Sequence, residues 1–342
     1  MISKQGTLTA KQEEGRHVAL GLSVKDLLEM YDKMLLARAL DERMWLLNRQ
    51  GKANFVVSGQ GHEAAQVGSA YALKRGVDFV LTYYRDHAVA LTVGISARDV
   101  MLSTLAKAND PSSAGRQFPA HYSFPPLRIV SVSSAVATQI PHASGIALAS
   151  KLKGEEAVTI VYFGDGATSK GDFHEGLNFA GVHKLPVVFF CENNLYAISV
   201  PLSKQMAIQD VAERAKAYGF PGVVVDGNDV LAVYEVTKEA LDRARSGGGP
   251  TLIDAKTYRF LPHTSEDDDR RYRSREEVEE WKKRDPIERF RRDLLQAGIL
   301  TEALDQEARK RTAAEAEDAV EFGQKSPDPD PKDALRYVYF EG

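Results

Sequence analysis

Two short motifs carry oxygen-bearing side chains: the glycine-flanked Gly164-Asp165-Gly166, and Asn193-Asn194 about thirty residues further on. Asp165 follows an apolar run, Ala157–Phe163, and its flanking glycines permit a tight turn with close approach of a ligand. One intervening helix would return the chain to a neighbouring strand, so that Asn194 emerges beside Asp165. A carboxylate next to an amide oxygen is a hard, oxygen-only site of the kind magnesium takes. A carbonyl, a water and diphosphate oxygens would complete the octahedron. Either motif alone reads as a turn or a loop start; the two at this spacing read as a site. A third chemical group is His263, in the polar loop Pro262–Asp269. An exposed loop histidine is its plain reading, and proton or hydrogen-bond donation its functional one.

These groups need a scaffold that brings loop ends together, and the second half of the chain supplies one. Apolar runs at Ile129–Val132, Ala157–Phe163, Val187–Cys191, Val223–Val225 and Leu252–Tyr258 read as strands. Helical stretches near 138–151, 173–182 and 229–245 separate them, which indicates a mostly parallel sheet covered by helices on both faces. Ligands of such sheets bind beyond the carboxyl ends of the strands, where strand order reverses. Earlier in the chain, Ser23 caps a helix reaching about Asn48, with Leu27, Leu28, Tyr31, Met34 and Leu35 on one face. Asp78–Thr82 reads as a short strand, and 109–128 as a long Pro/Ser/Phe-rich loop. Arg275–Gln296 reads as a charged helical appendage with one packing stripe, and Pro327–Pro331 as a stiff linker. The expected layout is an N-terminal arm (1–22), an α/β domain (23–270) and a C-terminal helical extension and tail (271–342).

Composition removes several alternatives. The 342 residues carry 44 Lys+Arg against 48 Asp+Glu, a net charge of −4 with no basic footprint for nucleic acid. The single cysteine, Cys191, excludes an internal disulfide and a multi-cysteine zinc site; at a strand end it reads as buried and inert. Met1–Leu20 lacks a signal-peptide core and no apolar run is long enough to span a bilayer, so a cytoplasmic protein without a membrane partner is expected. In His62-Glu63-Ala64-Ala65-Gln66 a glutamine stands where a zinc-protease helix needs its second histidine, which leaves His62 as a helix-start residue near the site. No P-loop and no Gly-x-Gly-x-x-Gly after a strand occurs, which disfavours a kinase, an ATPase and direct NAD binding.

The run Gly164-Asp165-Gly166-Ala167-Thr168-Ser169-Lys170-Gly171-Asp172, continued by Asn178-Phe179-Ala180 and Glu192 to Ser199, resembles the thiamine diphosphate motif. The chain is similar to alpha subunits of the decarboxylating component of 2-oxo acid dehydrogenase complexes. The resemblance spans roughly residues 25–295, with Gly59–Glu63, Tyr83–His87, Ala137–Pro141, Thr257–Arg259 and Pro262–Ser265 in order, and is nearest the branched-chain (2-oxoisovalerate) type. It implies an α/β thiamine-diphosphate-binding fold. It further implies oxidative decarboxylation of branched-chain 2-oxo acids, with acyl transfer to the lipoyl group of a dihydrolipoyl acyltransferase. The partner it implies is a beta subunit, in a heterotetramer of two alpha and two beta chains, which would bring the glutamate that activates the cofactor.

Residue by residue, the resemblance makes Asp165, Asn194 and the Tyr196 carbonyl the magnesium ligands. Tyr84 and Arg85 grip the diphosphate, and Ser134, Val136, Gly164, Gly166 and Ala167 line the cofactor. Ser133, Ala135, Thr138 and Gln139 match a potassium site found in part of the family. His263 matches a histidine reaching the reaction centre and is the expected catalytic residue, its near-neutral pKa suiting proton donation. Thr264 matches a position phosphorylated in some relatives. Phe55 and Val57 match positions beside the substrate's alkyl group, with core packing as their plain alternative. Two residues depart from the pattern: Lys170 replaces a glutamate, and Glu192 stands where some branched-chain members have a phosphate-contacting arginine. The rival readings are the same chemistry on pyruvate or acetoin, a magnesium-dependent phosphotransfer enzyme, and a non-catalytic binding protein.

Overall fold

The computed structural model describes residues 15–336 and 339; residues 1–14 of the expected arm and 337, 338 and 340–342 of the tail lie outside it. The first half is mainly helical: α1 (Val24–Arg49), α2 (Glu63–Tyr71), then β1 (Phe79–Leu81), α3 (His87–Val93) and α4 (Ala97–Thr104). An alternating stretch follows: α5 (Gln139–Lys153), β2 (Thr159–Gly164), α6 (Gly171–His183), β3 (Val187–Asn193), the small β4 (Tyr196–Ala197) and β5 (Val200–Pro201), β6 (Gly222–Asp226), α7 (Val230–Arg245) and β7 (Thr251–Lys256). Helices α8 (Arg275–Lys282), α9 (Pro286–Gln296) and α10 (Glu302–Lys325) complete the chain.

The main sheet has five strands in the order β1-β2-β3-β7-β6, and every pairing is parallel. Because successive side chains alternate across a strand, the apolar runs feed two cores at once. Ile160, Tyr162, Val188, Phe190 and Ile253 join a core with α1, α7 and α10. Val161, Phe163, Val187, Phe189 and Leu252 join a second core with α5 and α6. Strand order runs straight from β1 to β3 and reverses only where β7 inserts between β3 and the edge strand β6. The carboxyl ends of β2, β3 and β7 therefore lie next to one another, and the loops carrying Asp165, Asn194 and His263 leave from that edge.

Ser23 caps α1 through a reciprocal capping box with Asp26. The apolar run Ile129–Val132 forms no strand: only Ile129 pairs, by single bridges to Val80 and Phe124. The charged stretch 275–296 is two helices, because Pro286 cannot continue α8 and instead opens α9, with Asp285 as its cap. The C-terminal helices pack against the N-terminal ones. Ala308, Ala316, Ala319 and Val320 of α10 are buried in the same core as Met30, Met34 and Leu40 of α1. The Asp305 carboxylate accepts from the Tyr31 hydroxyl at 2.6 Å and from Arg291 Nε at 2.7 Å. No helix among the described residues is long and apolar enough to cross a membrane.

Candidate functional site

Gly164 pairs with Glu192 at the end of the β2/β3 ladder, so Asp165 and Asn194 leave the sheet side by side. The Asp165 carboxylate is 1% exposed and accepts a hydrogen bond from Gln205 Nε2 at 2.7 Å. Burial raises its pKa, and the Gln205 bond opposes that rise. Asn194 is also buried. Its amide nitrogen lies 3.2 Å from His62 Nε2, while its Oδ1 accepts from the Tyr196 amide at 3.3 Å. Between them Leu195 sits at φ +71°, a left-handed conformation costing a leucine about 1 kcal/mol. Asn193 Oδ1, accepting from the Leu195 amide at 3.3 Å, helps hold that turn. The Tyr196 carbonyl accepts from Arg259 Nη1 at 3.2 Å. At Gly166 a Cβ would come within 2.8 Å of the Ala197 methyl, so glycine is what lets the two turns meet.

The other side of the site is the Tyr83–His87 turn after β1. Arg85 is only 2% exposed, and its Nη1 donates to the Ser58 carbonyl at 2.8 Å. Its Nη2 donates to the His263 carbonyl at 3.0 Å and faces His263 Nδ1 at 2.8 Å. The Tyr84 ring carries the Arg85 guanidinium 5.3 Å from its centre and meets the His263 imidazole edge-on. A guanidinium has no acceptor, so His263 Nδ1 must accept and the imidazole proton sits on Nε2. Burial, with Arg85 and Arg259 nearby, pushes the His263 pKa down to about 3. The near-neutral imidazole expected from sequence is thus corrected: His263 is neutral throughout the physiological range. It can donate a hydrogen bond through Nε2–H, but Nδ1, turned to Arg85, does not take up a second proton in that range.

A polar bed lies behind this turn. Gln66 Nε2 donates to the Arg85 carbonyl at 3.0 Å and to Glu192 Oε2 at 3.1 Å, and the Tyr83 hydroxyl reaches the same oxygen at 3.0 Å. Burial drives the pKa of both Glu192 and Asp86 upward. Glu192 therefore braces the Tyr83–Asp86 turn from behind. The Gly59-Gln60-Gly61 turn is fixed by Asp41, which accepts from Ser58 Oγ at 2.8 Å and from the Gly59 amide at 2.6 Å. Gln66 thus makes structural hydrogen bonds, and among the described residues no group of three His, Cys, Asp or Glu side chains is arranged to hold a metal. A cation held by Asp165, Asn194 and a carbonyl would need oxygens from a ligand as well.

Ser133, Ala135, Thr138 and Gln139 gather in the turn that opens α5. Ser133 Oγ accepts from the Ala135 amide at 3.0 Å, Thr138 Oγ1 donates to the Ala135 carbonyl, and Gln139 Nε2 donates to the Tyr162 carbonyl. Gln139 Oε1 is buried with no partner among the described residues. Ser134 and Val136 are exposed, and Ser134 Oγ lies 2.7 Å from His121 Nε2. Ala167 is buried in the Asp165 turn. Phe55 packs edge-on against Phe118 at 5.5 Å and lines a cavity of about 270 Å³. The Val57 side chain is buried and its carbonyl contacts His87 Nε2 at 2.9 Å. Val56, between them, accepts from the Ser265 amide at 3.0 Å, which joins this segment to the His263 loop. Lys170 is exposed. Sequence reasoning missed Gln205, Asp41, His121 and the contact of His62 with Asn194. Arg259 was visible only as part of a motif.

A family model described as dehydrogenase E1 component matches residues 31–332. The 2-oxoisovalerate dehydrogenase subunit alpha of Bacillus subtilis (strain 168) is 53% identical over 324 residues, covering 95% of this chain and 98% of that protein. The 3-methyl-2-oxobutanoate dehydrogenase subunit alpha of Mycobacterium tuberculosis (strain CDC 1551 / Oshkosh) is 40% identical, covering 100% of this chain and 89% of the relative. The pyruvate dehydrogenase E1 component subunit alpha of Staphylococcus aureus (strain Mu50 / ATCC 700699) is 42% identical, covering 87% of this chain and 78% of its own length.

Proposed function

The chain belongs to the dehydrogenase E1 component family, and from that premise we propose that it is the alpha subunit of a 2-oxoisovalerate (3-methyl-2-oxobutanoate) dehydrogenase. It works with a beta subunit in a multienzyme complex and decarboxylates branched-chain 2-oxo acids oxidatively. The acyl group passes to the lipoyl group of an acyltransferase, and the assembly is two alpha with two beta chains in the cytoplasm. The carrying observation is the buried Asp165 carboxylate beside Asn194 and the Tyr196 carbonyl, with Arg85 and His263 at the same sheet edge.

Thiamine diphosphate, when bound, supplies a nucleophilic carbon for the 2-oxo group and takes up the electron pair that carbon dioxide leaves behind. The donor set fits that cofactor with magnesium. Among the described residues Asp165 is a carboxylate buried without a cationic side chain hydrogen-bonded to it, and Gly166 lets the Asp165 turn approach the Tyr196–Ala197 turn closely. Asp165, Asn194 and the Tyr196 carbonyl would hold the magnesium, and Tyr84 and Arg85 the diphosphate, for which a guanidinium fork is suited. Ser134, Val136, Gly164 and Ala167 would line the cofactor. The unpartnered Gln139 Oε1, with Ser133, Ala135 and Thr138, supports potassium in the turn before α5. His263 would donate through Nε2–H to the substrate's 2-oxo oxygen, where negative charge develops. Phe55 and Val57 flank the segment bonded to the His263 loop and would meet the alkyl group.

The test is steady-state turnover of 2-oxoisovalerate and pyruvate by alpha alone, beta alone and the mixture. A branched-chain enzyme should favour 2-oxoisovalerate in kcat/KM by roughly tenfold or more, the scale of a methylene or two in an apolar pocket. Equal or better use of pyruvate would overturn the substrate assignment, and full activity of alpha alone the subunit assignment.

A further inference from the structure

Asp165 and Asn194 are each held by one neutral side chain from elsewhere in the fold. Gln205, at the end of the short helical turn Leu202–Gln205, spends both amide hydrogens. One goes to Asp165 Oδ2 at 2.7 Å, the other to the Val200 carbonyl at 2.9 Å. Two acceptors on that side fix which end of the amide is nitrogen. Its Oε1 is left buried with no partner among the described residues, an unfavourable state unless a donor arrives. His62, 0% exposed, presents Nε2 to the Asn194 amide nitrogen at 3.2 Å. Asn194 Oδ1 accepts from the Tyr196 amide, so the Asn194 nitrogen faces His62 and Nε2 accepts from it. Accepting there sends the Asn194 nitrogen toward His62 and turns Oδ1 away from it.

We infer that Gln205 and His62 are positioning residues that fix the direction of the Asp165 and Asn194 oxygens for a divalent cation. The inference rests on the reading of Asp165 and Asn194 as magnesium ligands. Ligating groups are themselves hydrogen-bonded, and loss of such a partner weakens metal binding 10–100-fold in general. Neutrality is part of the fit. The site must accept a cation already carrying diphosphate, and a carboxylate at either position would add repulsion.

The experiment is a magnesium titration of thiamine diphosphate binding to the alpha–beta heteromer, by calorimetry, with Mn²⁺ resonance spectra as a second reading of metal affinity. Gln205→Met keeps length and loses both donors; His62→Leu loses the acceptor; His62→Gln restores one. Gln205→Met and His62→Leu should raise the magnesium midpoint roughly 10–100-fold. His62→Gln should stay near wild type, and cofactor affinity at saturating magnesium should recover in all three. Unchanged midpoints in Gln205→Met and His62→Leu, beside a lost magnesium response in Asp165→Ala, would overturn the positioning role alone. Cofactor affinity that stays low at saturating magnesium would overturn it too, as a general structural defect. An unaltered magnesium response in Asp165→Ala would overturn the ligand reading itself, and this inference with it.

Discussion

The neutral state of His263 has a consequence in the stability of the protein as pH falls. The ordinary histidine pKa is 6.5, and that of His263 is pushed down to about 3 by burial, Arg85 and Arg259. Between those values the unfolded chain takes up a proton at this position and the folded chain does not. Stability therefore falls as pH falls through that window, by about 1.4 kcal/mol per pH unit. From pH 6.5, where the unfolded histidine is already half protonated, to pH 4.5 the loss amounts to about 2 kcal/mol. His263→Asn keeps an oxygen near the position of Nδ1 to accept from Arg85 but cannot titrate. Other groups, including the raised Asp86 and Glu192 with their opposite sign, cancel in the difference between wild type and variant. Urea unfolding of both heteromers at pH 7.5, 6.5, 5.5 and 4.5, at one protomer concentration, measures that difference. The variant should gain on wild type by about 2 kcal/mol across the lower two units. Parallel curves would mean that His263 titrates normally in the fold, and the Arg85 contact could not then be what sets its tautomer.

Gly61→Ala should cost more than about 3 kcal/mol or prevent folding, because Gly61 lies at φ +93° and its Cβ would stand 2.0 Å from the Tyr258 carbonyl. Gly76→Ala, at φ +73° with nothing nearby, should cost only about 1 kcal/mol; equal losses in unfolding midpoint would remove the steric argument. Asp305→Ala should destabilise by about 2 kcal/mol, since it leaves Tyr31, Arg291 and Arg309 without their shared acceptor. An unchanged urea midpoint would mean that this cluster does not anchor α10.

What the sequence made legible follows the range of the forces involved. Strands β2 and β3 were readable because both their faces are buried, and burial on both faces demands an unbroken apolar run. Asp165 and Asn194 were readable because one helix between adjacent parallel strands fixes their spacing. Ile129–Val132 misled because an apolar run shows burial and not pairing, and only Ile129 finds a partner strand. The break at Pro286 did carry a local signal, an aspartate followed by proline, which the apolar stripe of the charged stretch masked. Gln205 and His62 had none: their bonds to Asp165 and Asn194 span 40 and 132 residues and exist only after folding. The His263 pKa was hidden for the same reason, Arg85 being 178 residues away in sequence.

The same charges explain why the site suits an anion. Arg85 and Arg259 are both almost wholly buried, and burial and Arg85 together lower the Arg259 pKa, the mark of two guanidiniums that repel. The carboxylates that could compensate are restrained: burial raises Asp165, Asp86 and Glu192 alike, which disfavours their charged forms. Burial thus weighs against the charged form of each of these carboxyl groups. An incoming diphosphate would supply negative charge in a low-dielectric setting, where each charge-assisted hydrogen bond counts most. Burial and these same cations lower the His263 pKa, and a neutral ring is what the proposed donation through Nε2–H requires.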